Sequence, residues 1–261
     1  KIVSTSCVLL VLVCLVATSW ALARDVTATS LAPGDQEALR LIARHWPTLE
    51  TPFIGWGDYP NACTGTVANI IFISCITDGT YSYVSKLGLS GLFGAENSTD
   101  SLPWLGDLFS EHLTSLIVDG IKLEGDSFPS FFFPSIDELS VKYMPYMTYF
   151  GDTSNLTGLK TFTMNFNDAM LTLPTFPNST KLESYFAYQS SLANSWEGNW
   201  PATEQGTEFY FEFLNEIDSV PSFAATNASI LYFLQMGLAS FPTLPSFPCL
   251  DTLVFASFAN L

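Results

Sequence analysis

The chain has 261 residues, with 9 Lys+Arg against 25 Asp+Glu for a formal charge of −16; it is 48% hydrophobic, 15% aromatic and 13% charged. That apolarity excludes intrinsic disorder, and the acidic balance excludes a nucleic-acid binder working by phosphate neutralisation. The 22 Phe, 15 Pro and 16 Gly favour short strands and turns over a helical bundle.

Residues 7–16 form an unbroken apolar run behind Lys1, and Ala21-Leu22-Ala23 follows with the small-x-small form of a signal-peptidase site. The run is too short to span a membrane and is expected to be a secretory signal over 1–23. Because the sequence opens on Lys rather than Met, residues are expected upstream of it. Export implies an oxidising compartment, so Cys63 and Cys75 are expected to pair. Cys249 is then odd, either buried and free or waiting for a partner outside the chain. Four sequons, at Asn97, Asn155, Asn178 and Asn227, support export to the surface or the medium.

Between the signal and residue 83 lies Pro33-Gly-Asp-Gln-Glu-Ala-Leu-Arg-Leu-Ile-Ala-Arg-His-Trp46. Asp35 reads as an N-cap, and Ala38, Leu39, Ile42 and Trp46 share one helical face. Trp56 follows, then the two cysteines around an apolar run at 67–73.

From Val84 onward the chain repeats itself. Leu113-Thr-Ser-Leu-Ile-Val118, Ile136-Asp-Glu-Leu-Ser-Val141, Leu159-Lys-Thr-Phe-Thr-Met164 and Leu182-Glu-Ser-Tyr-Phe-Ala187 share the form apolar-x-x-apolar-x-apolar, with starts 23 residues apart. Val84–Leu89 is an earlier copy, and copies beginning at Leu231 and Leu250 follow with looser spacing. Near-identical quartets accompany them: Phe128-Pro-Ser-Phe131, Leu173-Pro-Thr-Phe176, Val220-Pro-Ser-Phe223 and Leu244-Pro-Ser-Phe247. In 207–221 a frame starting at Thr207 would bury Glu212, which is costly; a one-residue slip instead buries Phe209, Phe211 and Phe213 and exposes Tyr210 and Glu212.

These two linked signatures resemble the leucine-rich-repeat family, from Val84 to the end of the chain. Asn167 fills the family's asparagine position, whereas Ile121, Met144 and Ser190 replace it in other copies. The resemblance implies an α/β leucine-rich-repeat solenoid: a parallel sheet on the concave face and few or short helices on the convex side. Pro in the quartets also argues against long outer helices, and their Phe are expected to pack inward. Such an array needs its first core face covered. The order of helix, Trp, Cys pair and first repeat is similar to the N-terminal caps of plant and protist surface leucine-rich-repeat proteins. The chain thus divides into a signal at 1–23, a helix-containing cap at 24–83 and an array at 84–261. Leu261 falls inside a repeat, so further repeats are expected beyond it. Asn155, Asn178 and Asn227 each precede a repeat start by four residues and are expected in one row at the outer edge.

Catalytic constellations are not evident. His45 and His112 share no metal or nucleophile spacing and read as structural. Gly88, Gly91 and Gly94 lack the Lys-Ser/Thr ending of a phosphate loop and read as a turn. No metal or other cofactor is implied. A polysaccharide-cleaving β-helix would need two carboxylates about 5–10 Å apart. Asp119 and Glu138 are out of alignment, with Lys142 the nearer neighbour of Asp119, so an enzyme is not expected. What the strand face offers is aromatic. Tyr143, Phe166, Phe186, Tyr188 and Phe233, among Ser, Thr, Asn and Gln, form a candidate ligand-binding stripe for a protein or glycan partner, unless neighbouring copies bury it. Two other readings remain: a glycosylated coat or adhesion spacer without a specific ligand, and the β-helical polysaccharide enzyme. A membrane anchor outside the sequence is compatible with all three.

Overall fold

The computed structural model describes residues 30–45, 63, 71–90, 109, 111–120, 127–128, 135–144, 146–190, 192–196, 198–221, 223, 226–238 and 250–256. The expected signal, Trp46, Trp56, Asn97, Phe131, the quartet at 244–247 and Cys249 lie outside these residues.

Each apolar triad forms one strand of a single nine-stranded sheet. A hairpin of β1 (Ile71–Thr77) and β2 (Ser82–Ser90) opens it, paired antiparallel. From β2 onward every neighbour is parallel: β3 (Ser115–Asp119), β5 (Glu138–Lys142), β7 (Thr161–Asn165), β9 (Ser184–Tyr188), β11 (Thr207–Leu214), β12 (Ala228–Met236) and β13 (Thr252–Ala256). Short two-residue strands separate some of these: β4 (Ser127–Phe128) pairs with β6 (Tyr149–Phe150), and β8 (Thr172–Leu173) with β10 (Ser195–Trp196), again parallel. The result is a parallel β-solenoid. Its one described helix, α1 (Pro33–His45), precedes the sheet, so an α/β layering is not what the described residues form. The described parts of the returns are short strands, turns and irregular backbone, in keeping with prolines that bar a long helix.

The core runs through the stack because the repeat places like residues in register. Leu87, Leu116, Leu139, Phe162, Tyr185, Phe209 and Leu231 align across seven strands and are at most 4% exposed. Two residues on, Leu89, Val118, Val141, Met164, Ala187, Phe211 and Phe233 form a second buried row. Two of the quartet phenylalanines, Phe176 and Phe223, close the opposite wall, as expected: Phe176 lies 4.6 Å from Phe162 and Phe223 stacks on Trp200 at 5.5 Å, ring centre to ring centre. Truncating one such fully buried ring costs about 3–5 kcal/mol.

Polar groups tie each turn to the one before. The Asn167 amide Nδ2 donates to the Val141 carbonyl at 3.1 Å, and its Oδ1 accepts from the Met144 N–H at 2.9 Å. Hydroxyls of Ser179, Thr207 and Thr226 donate to the carbonyls of Leu156, Leu182 and Pro201 at 2.6–2.8 Å. These buried donors satisfy backbone acceptors that the turns leave open.

Several expectations are corrected. Asp35 is not an N-cap, because α1 begins two residues earlier. It sits buried in the first turn, and its Oδ2 accepts the Val84 N–H of β2 at 2.6 Å. Gly88 lies within β2, not in a turn. In the copy placed at Leu231 the triad is Ala228, Leu231 and Phe233, because Leu231 pairs with Phe209 and Leu253. Phe233 is therefore inside, fully buried. Both frames fit the apolar pattern; a continuous core selects the one that buries the ring. The same shift removes Asn227 from the expected row. Asn155 and Asn178 stay equivalent, and Asn178 Nδ2 donates to Ser154 O at 3.0 Å, whereas Asn227 immediately precedes its strand. The slipped frame at 207–221 is the observed one, with Phe209 and Phe211 buried, Tyr210 and Glu212 outward and only Phe213 departing from it.

Candidate functional site

A repeated backbone device shapes the outward strand face. Gly120, Tyr143, Phe166, Gln189, Phe213 and Gln235 adopt positive φ, at 66°, 51°, 54°, 50°, 57° and 50°. Each of the five non-glycine residues directly follows an outward residue and precedes a buried one (Met144, Asn167, Ser190, Leu214 and Met236), so the left-handed residue adds a position and resets the strand alternation. For a non-glycine side chain this conformation costs about 1–2 kcal/mol, and three of the six carry aromatic rings. This is why Phe213 is half-buried rather than buried: alternation alone points it inward, and the left-handed step turns it out.

The outward rings touch in sequence. Tyr143 and Phe166 stack with ring centres 4.7 Å apart, Phe166 meets Tyr188 edge-on at 5.1 Å, and Tyr188 meets Phe213 at 5.1 Å. Phe186 stacks parallel to Tyr188 at 6.2 Å, Tyr210 follows Phe186 at 6.2 Å, and Tyr232 follows Tyr210 at 5.8 Å. Offset and edge contacts at these separations are the favoured geometries for aromatic pairs. The seven rings come from five successive strands and their trailing residues, and Tyr143 remains 41% exposed.

Of the five residues singled out in the sequence, Tyr143, Phe166, Phe186 and Tyr188 meet on this face, and Phe233 does not. Sequence reasoning missed Phe213, Tyr210 and Tyr232. The cost of burying Glu212 pointed to Tyr210, and Ala228 as an alternative repeat start would have pointed to Tyr232.

The N-terminal end of the face is polar. Asp119 pairs in register with Lys142, and Lys142 with Asn165. Asp119 Oδ1, Ser140 Oγ and Asn165 Oδ1 are buried without a hydrogen-bond partner among the described residues. Burial pushes the Asp119 carboxyl above its ordinary range, and the nearby Lys142 charge opposes that. Glu138 lies opposite Ser115, whose hydroxyl it accepts at 2.9 Å, so it does not face Asp119 across the sheet. At the other end Glu208 accepts the Tyr210 hydroxyl at 3.2 Å. Among the described residues the Glu212 carboxylate has no such donor, and burial raises it. His112 packs against Tyr83 at 4.3 Å. Among the described residues no group of three or more His, Cys, Asp or Glu is placed to hold a metal.

The chain matches no family model, no curated protein and no solved structure.

Proposed function

We propose that this is a secreted or surface-displayed leucine-rich-repeat recognition protein that binds a protein or glycan through its outward strand face. The continuous row of seven contacting rings carries this reading. A soluble monomer gains nothing from lining one face of a solenoid with rings held partly in left-handed backbone, and non-glycine outliers of that kind concentrate at functional sites. In this reading α1 and the β1–β2 hairpin serve as the cap, with Asp35 fastening the helix to β2. The Cys63–Cys75 bond supports an oxidising destination. A binding role is favoured over hydrolysis because Asp119 and Glu138 stand at different register positions.

A spacer reading draws on the aligned sequons at Asn155 and Asn178. Alanine at Phe186 and Tyr188 separates the two. For a receptor, the folded double variant loses its cell-surface or extract-derived partners by at least tenfold in affinity, as loss of buried aromatic anchors does. An unchanged interaction profile with intact folding selects the spacer.

A further inference from the structure

The partner's chemistry is written in what the face lacks. Its polar atoms without a hydrogen-bond partner among the described residues include the acceptors Asp119 Oδ1 and Asn165 Oδ1, beside Ser140 Oγ of a residue only 5% exposed. At the opposite end the Glu212 carboxylate stands outward, paired in register with Tyr188, two residues from Tyr210 and next to the left-handed Phe213. Tyr188 and Phe213 are in edge contact at 5.1 Å. The Glu212 backbone carbonyl accepts the Gln189 N–H at 2.9 Å, but no described residue gives its carboxylate a hydrogen bond or an ion pair, and removal from water is the cause that raises it. The chain as a whole carries −16, which draws cations toward it.

Resting on the recognition reading above, we propose that the face takes a basic, extended polypeptide segment. One arginine or lysine side chain of that segment sits over the Tyr188, Tyr210 and Phe213 rings against Glu212. A guanidinium gains from the ring faces and from the carboxylate together, most where water is already thin. Lys142 fixes the orientation: a cation beside it is repelled, so the Asp119–Asn165 end receives neutral donors such as backbone N–H groups. From β3 to β11 there are four strand intervals, about 19 Å at about 4.8 Å each, which roughly six extended residues cover.

The test uses the whole secreted chain and two blocked Ser/Gly hexapeptides, one with a single arginine and one with citrulline, titrated by NMR or calorimetry. The arginine peptide is expected to bind at least tenfold more tightly than the citrulline peptide. Glu212→Gln should abolish that difference, whereas Glu111→Gln, a change of equal charge before β3, should not. Equal binding of the two peptides, or an arginine preference that survives Glu212→Gln with folding intact by circular dichroism, overturns the proposal. A neutral oligosaccharide such as cellohexaose is titrated in parallel. If it binds, loses affinity on Phe186→Ala, and the arginine peptide does not bind, the recognition face stands and the basic partner is wrong.

Discussion

Gly237 shows how closely successive turns approach. Its N–H donates to Leu214 O at 3.1 Å, and a Cβ built there would lie 1.9 Å from the Asn215 carbonyl oxygen. That contact is with backbone, which cannot rotate aside. Gly237→Ala is expected to destabilise the chain by about 1–3 kcal/mol or more, read as a lowered melting temperature; an unchanged melt would show that the turn relaxes freely. Asp119 makes a pH-dependent prediction. Burial raises its carboxyl above the ordinary 3.8, against the pull of Lys142. The native state then holds more protons than the unfolded one between the two values. Its contribution is full below the unfolded value and lost as pH rises through the folded one. Asp119→Asn should therefore raise the melting temperature near pH 7 and leave it unchanged near pH 3. A drop near neutrality would mean that the attraction of Lys142 outweighs burial.

At the scale of elements, the opening of the sheet depends on contacts distant in sequence. Helix α1 is held by the Leu31–Ser82 bridge and by the Asp35 carboxylate on Val84 N–H, 49 residues away. The Cys63–Cys75 bond ties the segment before β1 into that strand across 12 residues of sequence. Replacing both cysteines by serine should cost about 2–3 kcal/mol, visible in a denaturant melt as an early transition of the N-terminal hairpin. Peptide mapping that finds both thiols free in protein purified without reductant would contradict the bond itself. The triads of β3, β5, β7 and β9 were legible because the 23-residue spacing is strict and their inward positions are apolar while most outward ones are polar. Strand β12 was not, because Ile230, Leu231, Tyr232, Phe233 and Leu234 form five consecutive apolar or aromatic positions, and a run without polar positions inside it has no phase.

Across the whole molecule, one apolar interior links the turns, and the outward face changes character along the stack. It is polar near β3 and β5, aromatic from Tyr143 to Tyr232, and acidic at Glu212, with no counter-charge there among the described residues. The double alanine change at Phe186 and Tyr188 and the Glu212→Gln titration probe that gradient at two points, the first for any partner and the second for a basic one. Either change leaves the interior untouched, so loss of binding without loss of folding is the expected signature of both.

The sequence by itself determined that the chain builds a stack of like turns, which residues of the regular copies face inward, and that Cys63 and Cys75 are neighbours. A short apolar period repeated at fixed spacing has one economical burial, and neighbouring copies must share it. Only the tertiary structure decided the phase of β12, the outward turn of Phe213 and the place of Asn227. Those follow from backbone steps into positive φ and from continuity with the adjacent strand, and neither leaves a mark in the local pattern of apolar and polar residues. The contacting row of rings belongs to the same class: each ring was visible in the sequence, but their succession exists only when parallel strands bring residues about one turn apart within van der Waals reach.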